Sequence, residues 1–450
     1  MSGQFAGTST VRNPDTSSRT AMTRRAWWLI GLNLLIPGSA QVLAGNRRLG
    51  RFGLAATIVT WVLLAVVIVV NLVAKNLLYS ALTNSWALLA GQFMLVLYAA
   101  LWIVLTLDTL RLTRLVKVRP SARPIVATLA LIGLVATAGT AGYSVYLAGV
   151  TRGALDQVFA EGPPADPING RYTVMLLGGD AGADRTGLRP DSISVASIEA
   201  ATGKTTIFGI PRNLEQVPFA DGSPLYGPFP NGYNCGDDCL ISYLYTYGQE
   251  HPELYPDAEK QGSQPGIEAT RDAVEGVLGI QIQYYALIDM KGFSSLIDAL
   301  GGITIEVKKR LPIEGGIDAN GQPTHVKSWI EPGVQKMDGY TALWYARSRH
   351  GTSDYDRMKR QRDVQAAVLE QFQPSVVLLR FQSVAEAGSR IVKTDIPQRM
   401  LGQFVELAGK ARDHELNRVE LVPPLVDVVY PNFSDIHAIV QENTVLSDSN

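Results

Sequence analysis

Three stretches without a single charged side chain, residues 52–74, 85–107 and 125–150, dominate the first third of this 450-residue chain. Each reaches the roughly 20 residues that a helix needs to cross a hydrocarbon core. After residue 150 no comparable run occurs, and the composition becomes that of a water-facing globular domain. Lys and Arg total 40 against 41 Asp and Glu, so overall charge points to no particular partner.

Orientation follows from the basic loops, because short flanks rich in Lys and Arg stay on the cytoplasmic side. Arg47, Arg48 and Arg51 precede the first span, and the basic segment 111–124 separates the second from the third. The third span then delivers everything after Thr151 outside the plasma membrane. A fourth apolar stretch, residues 26–45, has basic residues at both ends and Pro37-Gly38 at its middle, where a straight helix would break. It reads as a re-entrant or interfacial segment, with a full crossing as the alternative. The expected organisation is a cytoplasmic tail over 1–25, a multi-pass membrane region over 26–150, a linker over 151–170 and an extracytoplasmic domain over 171–440.

The two cysteines, Cys235 and Cys239, lie in "NCGDDCL". On the oxidising side of a membrane a close pair favours a disulfide over two unrelated thiols. Past the Pro- and Gly-rich linker, α and β patterns alternate. "YTVMLLG", "SISVASI" and "TTIFGI" read as strands, and "YYALI", "KGFSSLIDAL" and "GITIEV" as a β-α-β unit. Helices are expected over 266–278, 355–372 and 397–411. The fold class is α/β, a central mixed sheet flanked by helices and preceded by a helical membrane region.

Charged residues converge in this reading. Asp180 ends the first strand, Asp191 opens the second and Arg212 follows the third, so a hairpin brings all three to one rim. The segment "YARSRHGTSDYDRMKRQRDV" holds five arginines in twenty residues. With Ser353 or Asp354 as cap, helical spacing puts Arg357, Gln361, Val364 and Val368 on one face, with Arg360 beside it. Lys359 and Arg362 are expected to face solvent. Arg347 and Arg349 alternate on an upstream segment expected to be extended. An arginine heading an apolar stripe costs several kcal/mol unless it is paired, which points to a bound anion. Several guanidinium forks suit a phosphate, and two aspartates nearby suit Mg²⁺ or Mn²⁺ bridging phosphate oxygens. Beside a bilayer the fitting ligand is a lipid-linked pyrophosphate. No P-loop, GxSxG or HExxH occurs, and no helix-turn-helix precedes the spans, so nucleic acid is not an expected partner.

"MLLGGD", "LRPDSISVASI", "IFGIPRN", "YYALIDMKGFSSLIDALGGITIEV" and "MDGYTALWYARSRHGTSDYDRMKRQ" together resemble the LytR–CpsA–Psr family of cell-wall glycopolymer ligases, in its multi-span actinobacterial form. The resemblance implies a transferase that moves a glycan from a polyprenyl-pyrophosphate carrier onto peptidoglycan, forming a phosphodiester. It assigns Arg212, Arg347, Arg349, Arg357, Arg360 and Gln361 to the pyrophosphate and Asp180 and Asp191 to a metal, with Arg189 in support. The polyprenyl tail is expected in an apolar cleft between sheet and helices, and Asp180 or Asp191 as base for the incoming hydroxyl. The family's usual Pro-Arg-Asp stands here as Pro211-Arg212-Asn213. The rival readings are a lipid-pyrophosphate phosphatase with water as acceptor, and a non-catalytic membrane regulator.

Overall fold

The structure is a computed structural model and describes residues 11–12, 14–74, 77–78, 81, 84–159, 164–180, 189–318, 323–348, 353–371 and 392–446; at Asp180 and Arg189 only the backbone is described. The chain divides into two compact units, Met1–Arg152 and Gly153–Asn450.

In the first unit three helices, Arg47–Val73, Trp86–Lys117 and Arg123–Val150, are long and apolar enough to cross a membrane. The last continues to Val158, into the stretch expected as linker. Asn46 and Asn84 cap the first two by accepting N–H groups of the opening turn, satisfying donors that have no helical partner. The stretch around Pro37-Gly38 forms two helices, Arg19–Leu35 and Ser39–Ala44, broken at Gly38. Gly38 has φ +94°, and a Cβ there would sit 2.4 Å from Leu54 N, so both its conformation and its space demand glycine. Buried polar contacts hold the pair in place. Asn33 Nδ2 donates to Thr106 Oγ1 at 2.9 Å, Gln41 Nε2 to the Leu105 carbonyl at 2.8 Å and Thr57 Oγ1 to the Pro37 carbonyl at 3.0 Å. Arg25, near the start, donates to the Leu112 carbonyl. Gly45, just past the end, lies so close to Leu112 that a Cβ would come within 2.8 Å of its side chain. Both ends of the helix pair therefore meet the same level of the second apolar helix. Between them the pair reaches past Leu105, since Thr57, which holds the Pro37 carbonyl, also lies 3.1 Å from Tyr98 Oη.

The second unit contains twelve described strands: β1 Arg171–Asp180, β2 Arg189–Glu199, β3 Thr205–Ile210, β4 Tyr284–Asp289, β5 Ile303–Val307, β6 Leu311–Ile313, β7 Gly316–Ile317, β8 Pro323–Thr324, β9 Ser328–Ile330, β10 Gly333–Met337, β11 Val392–Thr394 and β12 Asn417–Glu420. Six form a mixed sheet in the order β11-β4-β1-β2-β3-β12. Alternation along the strands divides its residues between two layers. Met175, Leu177, Ile193, Val195, Phe208, Ile210, Tyr285 and Leu287 face one core with the helices Pro265–Leu278 and Phe433–Asn443. The opposite face carries Leu176, Gly178, Ala196, Ile198, Ile207, Ala286 and Ile288, which line an open cleft instead. Small side chains on that face leave the space.

The expected β-α-β unit is not one. β4 lies in the main sheet, but after the helix Met290–Leu300 the chain enters β5, which pairs only with β10 in a separate ladder. The reason is amphipathicity. Ile303, Ile305 and Val307 are buried while Thr304 and Glu306 are exposed, whereas a parallel strand inside a covered sheet is apolar on both faces. The apolar side packs with Ala342 and Tyr345 of the helix Gly339–Arg347 and with Val364 and Ala367 of the helix Asp354–Glu370. That last helix, the arginine helix, thus lies between this second layer and the main sheet.

Its placement corrects the expectation for Arg362, which is 1% exposed and not at the surface. Arg362 donates to the Ile193 carbonyl at 3.1 Å and to Gln365 Oε1 at 2.9 Å, and its Nε lies 3.5 Å from Glu420 Oε1. Gly209 makes the room: a Cβ there would meet the Glu420 carboxylate at 2.2 Å and Arg362 Nε at 3.0 Å. Burial pushes the Glu420 carboxyl up and the Arg362 guanidinium down, each partly opposed by the other. A helix held between two layers has two buried faces, and Arg362 serves the second.

Candidate functional site

The rim is built by the β1–β2–β3 meander. Register places Gly178 opposite Ser192 and Ile193 opposite Ile210, so Asp191, two residues before Ile193, stands beside Arg212, two after Ile210. Asp191 Oδ1 accepts from Arg212 Nη1 at 2.6 Å. The same guanidinium reaches Asp354 through Nε at 3.3 Å, and Asp354 accepts from Arg357 Nη2 at 3.0 Å. Burial lowers the pKa of Arg212, and Asp354 and Asp191 outweigh it, so the guanidinium titrates above its usual value. The result is an Asp191–Arg212–Asp354–Arg357 chain of alternating charge at the cleft mouth.

Arg357, Gln361, Val364 and Val368 all line the cleft, one below another along the arginine helix. The cleft has a volume of about 1340 Å³. Its mouth is polar, with Asp191, Arg212, Asn213, Arg347, Arg357 and Gln361. Its far arm is apolar, with Ile198, Ile207, Val368, Phe404, Leu407 and Ala411. From Ser192 to Ile198 on β2 the arm extends about 20 Å at the usual strand rise. Gln361 Oε1 and Asn213 Oδ1 are buried and accept no hydrogen bond from a described group.

Of the remaining expected site residues, Arg347 lines the mouth, Arg360 is turned away, and Asp180 and Arg189 end their strands at the rim. Arg347 closes the helix Gly339–Arg347 and is exposed, its Cζ 5.7 Å from the Trp344 ring. The segment before it is helical rather than extended because Asp338 caps it, accepting from Thr341 N at 2.8 Å. Arg349 lies outside the described residues. Arg360 is buried and turned away from the cleft lining: its Nε donates to the Tyr345 carbonyl at 2.9 Å and its Nη2 to the Ser348 carbonyl. It satisfies the end of the preceding helix, a strut and not a ligand-facing group. The β1 and β2 backbones pair Asp180 with Arg189 at the same rim, and their side chains are not among those described.

Asp354 is the residue that sequence reasoning passed over, reading it only as a cap. The signal was present, since Ser353-x-x-Asp356 forms a capping box that caps the helix without Asp354. Freed from that duty, Asp354 bridges the two arginines. Cys235 and Cys239 are joined in a disulfide with Cα atoms 5.1 Å apart. Directly after it, Ile241 N donates to the Leu214 carbonyl at 3.0 Å and Ser242 N to the Arg212 carbonyl at 3.2 Å. The closed loop thus anchors a wall of the mouth.

Among the described residues no group of three or more His, Cys, Asp or Glu side chains forms a metal cage. Mg²⁺ needs less, because one or two carboxylates suffice when phosphate oxygens and water complete its shell. Asp191, with Asp180 ending β1 on the same edge, fits that mode.

The sequence matches the LytR_cpsA_psr family model over residues 156–428. It is 28% identical over 231 residues to Biofilm regulatory protein A of Streptococcus mutans, covering 50% of each chain. It is 26% identical over 227 residues to the polyisoprenyl-teichoic acid–peptidoglycan teichoic acid transferase TagU of Halalkalibacterium halodurans, covering 50% of this chain and 61% of that one. The chain thus spans about half to three-fifths of the length of these curated relatives. Among solved structures, B. subtilis TagV aligns at 20% identity and a TM-score of 0.43, over 61% of this chain and 97% of that one. The matched residues enclose the main sheet, the arginine helix and the whole cleft, and by that match the chain belongs to the LytR_cpsA_psr family.

Proposed function

We propose that the chain is a phosphotransferase that moves a glycopolymer from a polyprenyl-pyrophosphate carrier to peptidoglycan. The observation that carries this reading is the continuity of an arginine-lined mouth with a long apolar arm in one cleft. A ligand matching both must join a multiply charged anion to an extended apolar chain. The TagU relative is named for transfer of teichoic acid from a polyisoprenyl carrier to peptidoglycan, which agrees with that chemistry.

In the proposed reaction an acceptor-sugar hydroxyl attacks the phosphorus nearer the glycan. The new O–P bond forms as the bond to the bridging oxygen breaks, and polyprenyl phosphate leaves with that oxygen. The hydroxyl proton passes to Asp191 or Asp180. Arg212 and Arg357 hold the phosphate oxygens and meet the charge that grows on them, the main demand of phosphoryl transfer. Asp354 keeps the two guanidiniums at a fixed spacing. Mg²⁺ or Mn²⁺, held by Asp191 and Asp180, supplies further charge neutralisation when bound.

We place this domain outside the plasma membrane of a multi-pass protein. Support comes from the helix pair at Arg19–Ala44, both ends of which meet the level of Leu112, so it enters and returns without crossing. Three crossings then follow from a basic, cytoplasmic side.

The test is reconstitution of the full chain with a lipid-pyrophosphate glycan and peptidoglycan. Phosphodiester-linked glycan and polyprenyl phosphate are expected in equal amounts, and both should vanish with Arg357→Ala. Free glycan phosphate formed at the same rate without acceptor would make the chain a phosphatase instead.

A further inference from the structure

The β6–β9 ladder turns Leu311, Ile313 and Ile330 into the core of the second layer. Strand alternation leaves Arg310, Glu314, Lys327, Trp329 and Glu331 on its outer side. Trp329 there and Tyr340 on the neighbouring helix each stay 37% exposed, and each sits in an ion pair. Arg310 Cζ lies 4.1 Å from the Trp329 ring centre, and Arg310 Nε donates to Glu331 at 2.9 Å. Lys327 Nζ lies 5.2 Å from the Tyr340 ring centre and 3.0 Å from Glu314, which also accepts from the Tyr340 hydroxyl. One helical turn on, the Trp344 ring is 6.5 Å from that of Tyr340 and 5.7 Å from Arg347 Cζ. Trp344 and Arg347 line the cleft, so a stripe of rings and cations leads from the outer ladder to the mouth.

Its chemistry selects the partner. A polyanion would meet Glu314 and Glu331, and a polycation would meet Arg310 and Lys327. An apolar partner would strip water from both ion pairs and replace it with nothing. A neutral, polyhydroxylated chain avoids all three penalties. The C–H faces of its sugar rings pack on the aromatic rings, and its hydroxyls find donors and acceptors side by side. We infer that Trp329 and Tyr340, with their ion pairs, form a docking surface for the acceptor glycan strand, outside the cleft. The assignment to the acceptor rests on the transferase reading above. In that reaction the donor is already held by its tail and its phosphates, whereas the acceptor has neither and needs a surface of its own.

Three probes are titrated into the full chain in detergent: chitohexaose, a neutral glycan; dextran sulfate, a polyanion; and farnesyl diphosphate. The unaltered protein should bind chitohexaose. Trp329→Thr and Tyr340→Gln should each weaken it roughly 2- to 10-fold, the size of one lost ring contact, and leave farnesyl diphosphate unchanged. Tyr340→Phe, which keeps the ring, should lose little. The urea unfolding midpoint reports an intact fold, and if Trp329→Thr lowers it, Trp329→Tyr replaces it, with the smaller loss expected of a smaller ring. In the transfer assay the two ring-removing variants should raise KM for peptidoglycan and leave kcat at saturating acceptor unchanged. No chitohexaose binding by the unaltered protein, or undiminished binding by both ring-removing variants, would overturn the surface. Dextran sulfate bound through the same rings more tightly than chitohexaose would make it an anion site, and equal loss of farnesyl diphosphate would make it part of the donor site; either overturns the inference. Chitohexaose binding that depends on both rings, in a protein that transfers nothing, would overturn the transferase reading and leave the glycan surface standing.

Discussion

Two arginines five residues apart on one helix should fail in opposite ways when removed. Arg362→Ala leaves the Ile193 carbonyl without its donor, about 1–3 kcal/mol, and leaves Glu420 facing a void. Breaking a buried pair costs about 3–5 kcal/mol. Glu420 keeps 24% of its side chain exposed, which lowers the charge contribution, so a total near 3 kcal/mol is expected at the bottom of that range. Arg357→Ala is different, because Asp354 retains Arg212 at 3.3 Å and is 31% exposed. Arg357 itself is 4% exposed, but its loss leaves no buried charge without a partner, so its stability cost should be about 0–1 kcal/mol. Binding should reverse the ranking. Arg357→Ala loses a charge-assisted contact to phosphate, about 1.5–3 kcal/mol, or roughly 10- to 100-fold in affinity. The assays are urea unfolding of the full chain in detergent, followed by tryptophan fluorescence, and farnesyl diphosphate titration at low temperature. A 3 kcal/mol loss moves the urea midpoint on the order of 1 M. Should Arg362→Ala unfold with the unaltered protein, or Arg357→Ala keep full affinity, the division of labour along this helix is wrong.

Glu275 is raised by burial, assisted by Asp272 and Glu268 and opposed by its bond from Ile282 N and by Arg271. A carboxyl whose folded pKa is raised adds stability at low pH that is lost as pH rises through the folded value. Glu275→Gln, which keeps the acceptor, should therefore stabilise the protein at neutral pH and flatten the rise in stability on acidification towards the ordinary carboxylate range. The Cys235–Cys239 bond should add two mass units on reduction; two free thiols without reductant would refute the pairing. A phosphatase reporter fused after Asn450 should be active only outside the cytoplasm, and cytoplasmic activity would overturn the proposed orientation.

The rim was legible because hairpin geometry leaves little choice. Once "SISVASI" and "TTIFGI" pair, Asp191 and Arg212 must be neighbours, and the structure brings them to 2.6 Å. The cleft-facing row Arg357, Gln361, Val364, Val368 was legible for a similar reason, a fixed angle per residue. Arg362 was not, because reading one apolar stripe assumes one buried face. What hosts it is the missing side chain of Gly209, on a strand more than 150 positions away. The fate of β5 was visible in its alternating burial pattern but lost to the rhythm of the elements around it. For the helix pair at Pro37-Gly38, the deciding contacts join residues 73 and 64 positions apart. Local sequence cannot carry such pairings.

The apolar arm has a kinetic consequence. In the proposed reaction the leaving group is the lipid with one phosphate, and every contact between its tail and Ile198, Phe404 or Leu407 survives the chemistry. At about 0.8 kcal/mol for each buried methylene, that grip is strong and indifferent to which side of the reaction the lipid is on. Uniform binding of this kind tightens the substrate and product complexes alike without lowering the barrier between them. Turnover should then be paced by escape of polyprenyl phosphate into the bilayer. Shorter-tailed donors would turn over faster at saturation while binding more weakly.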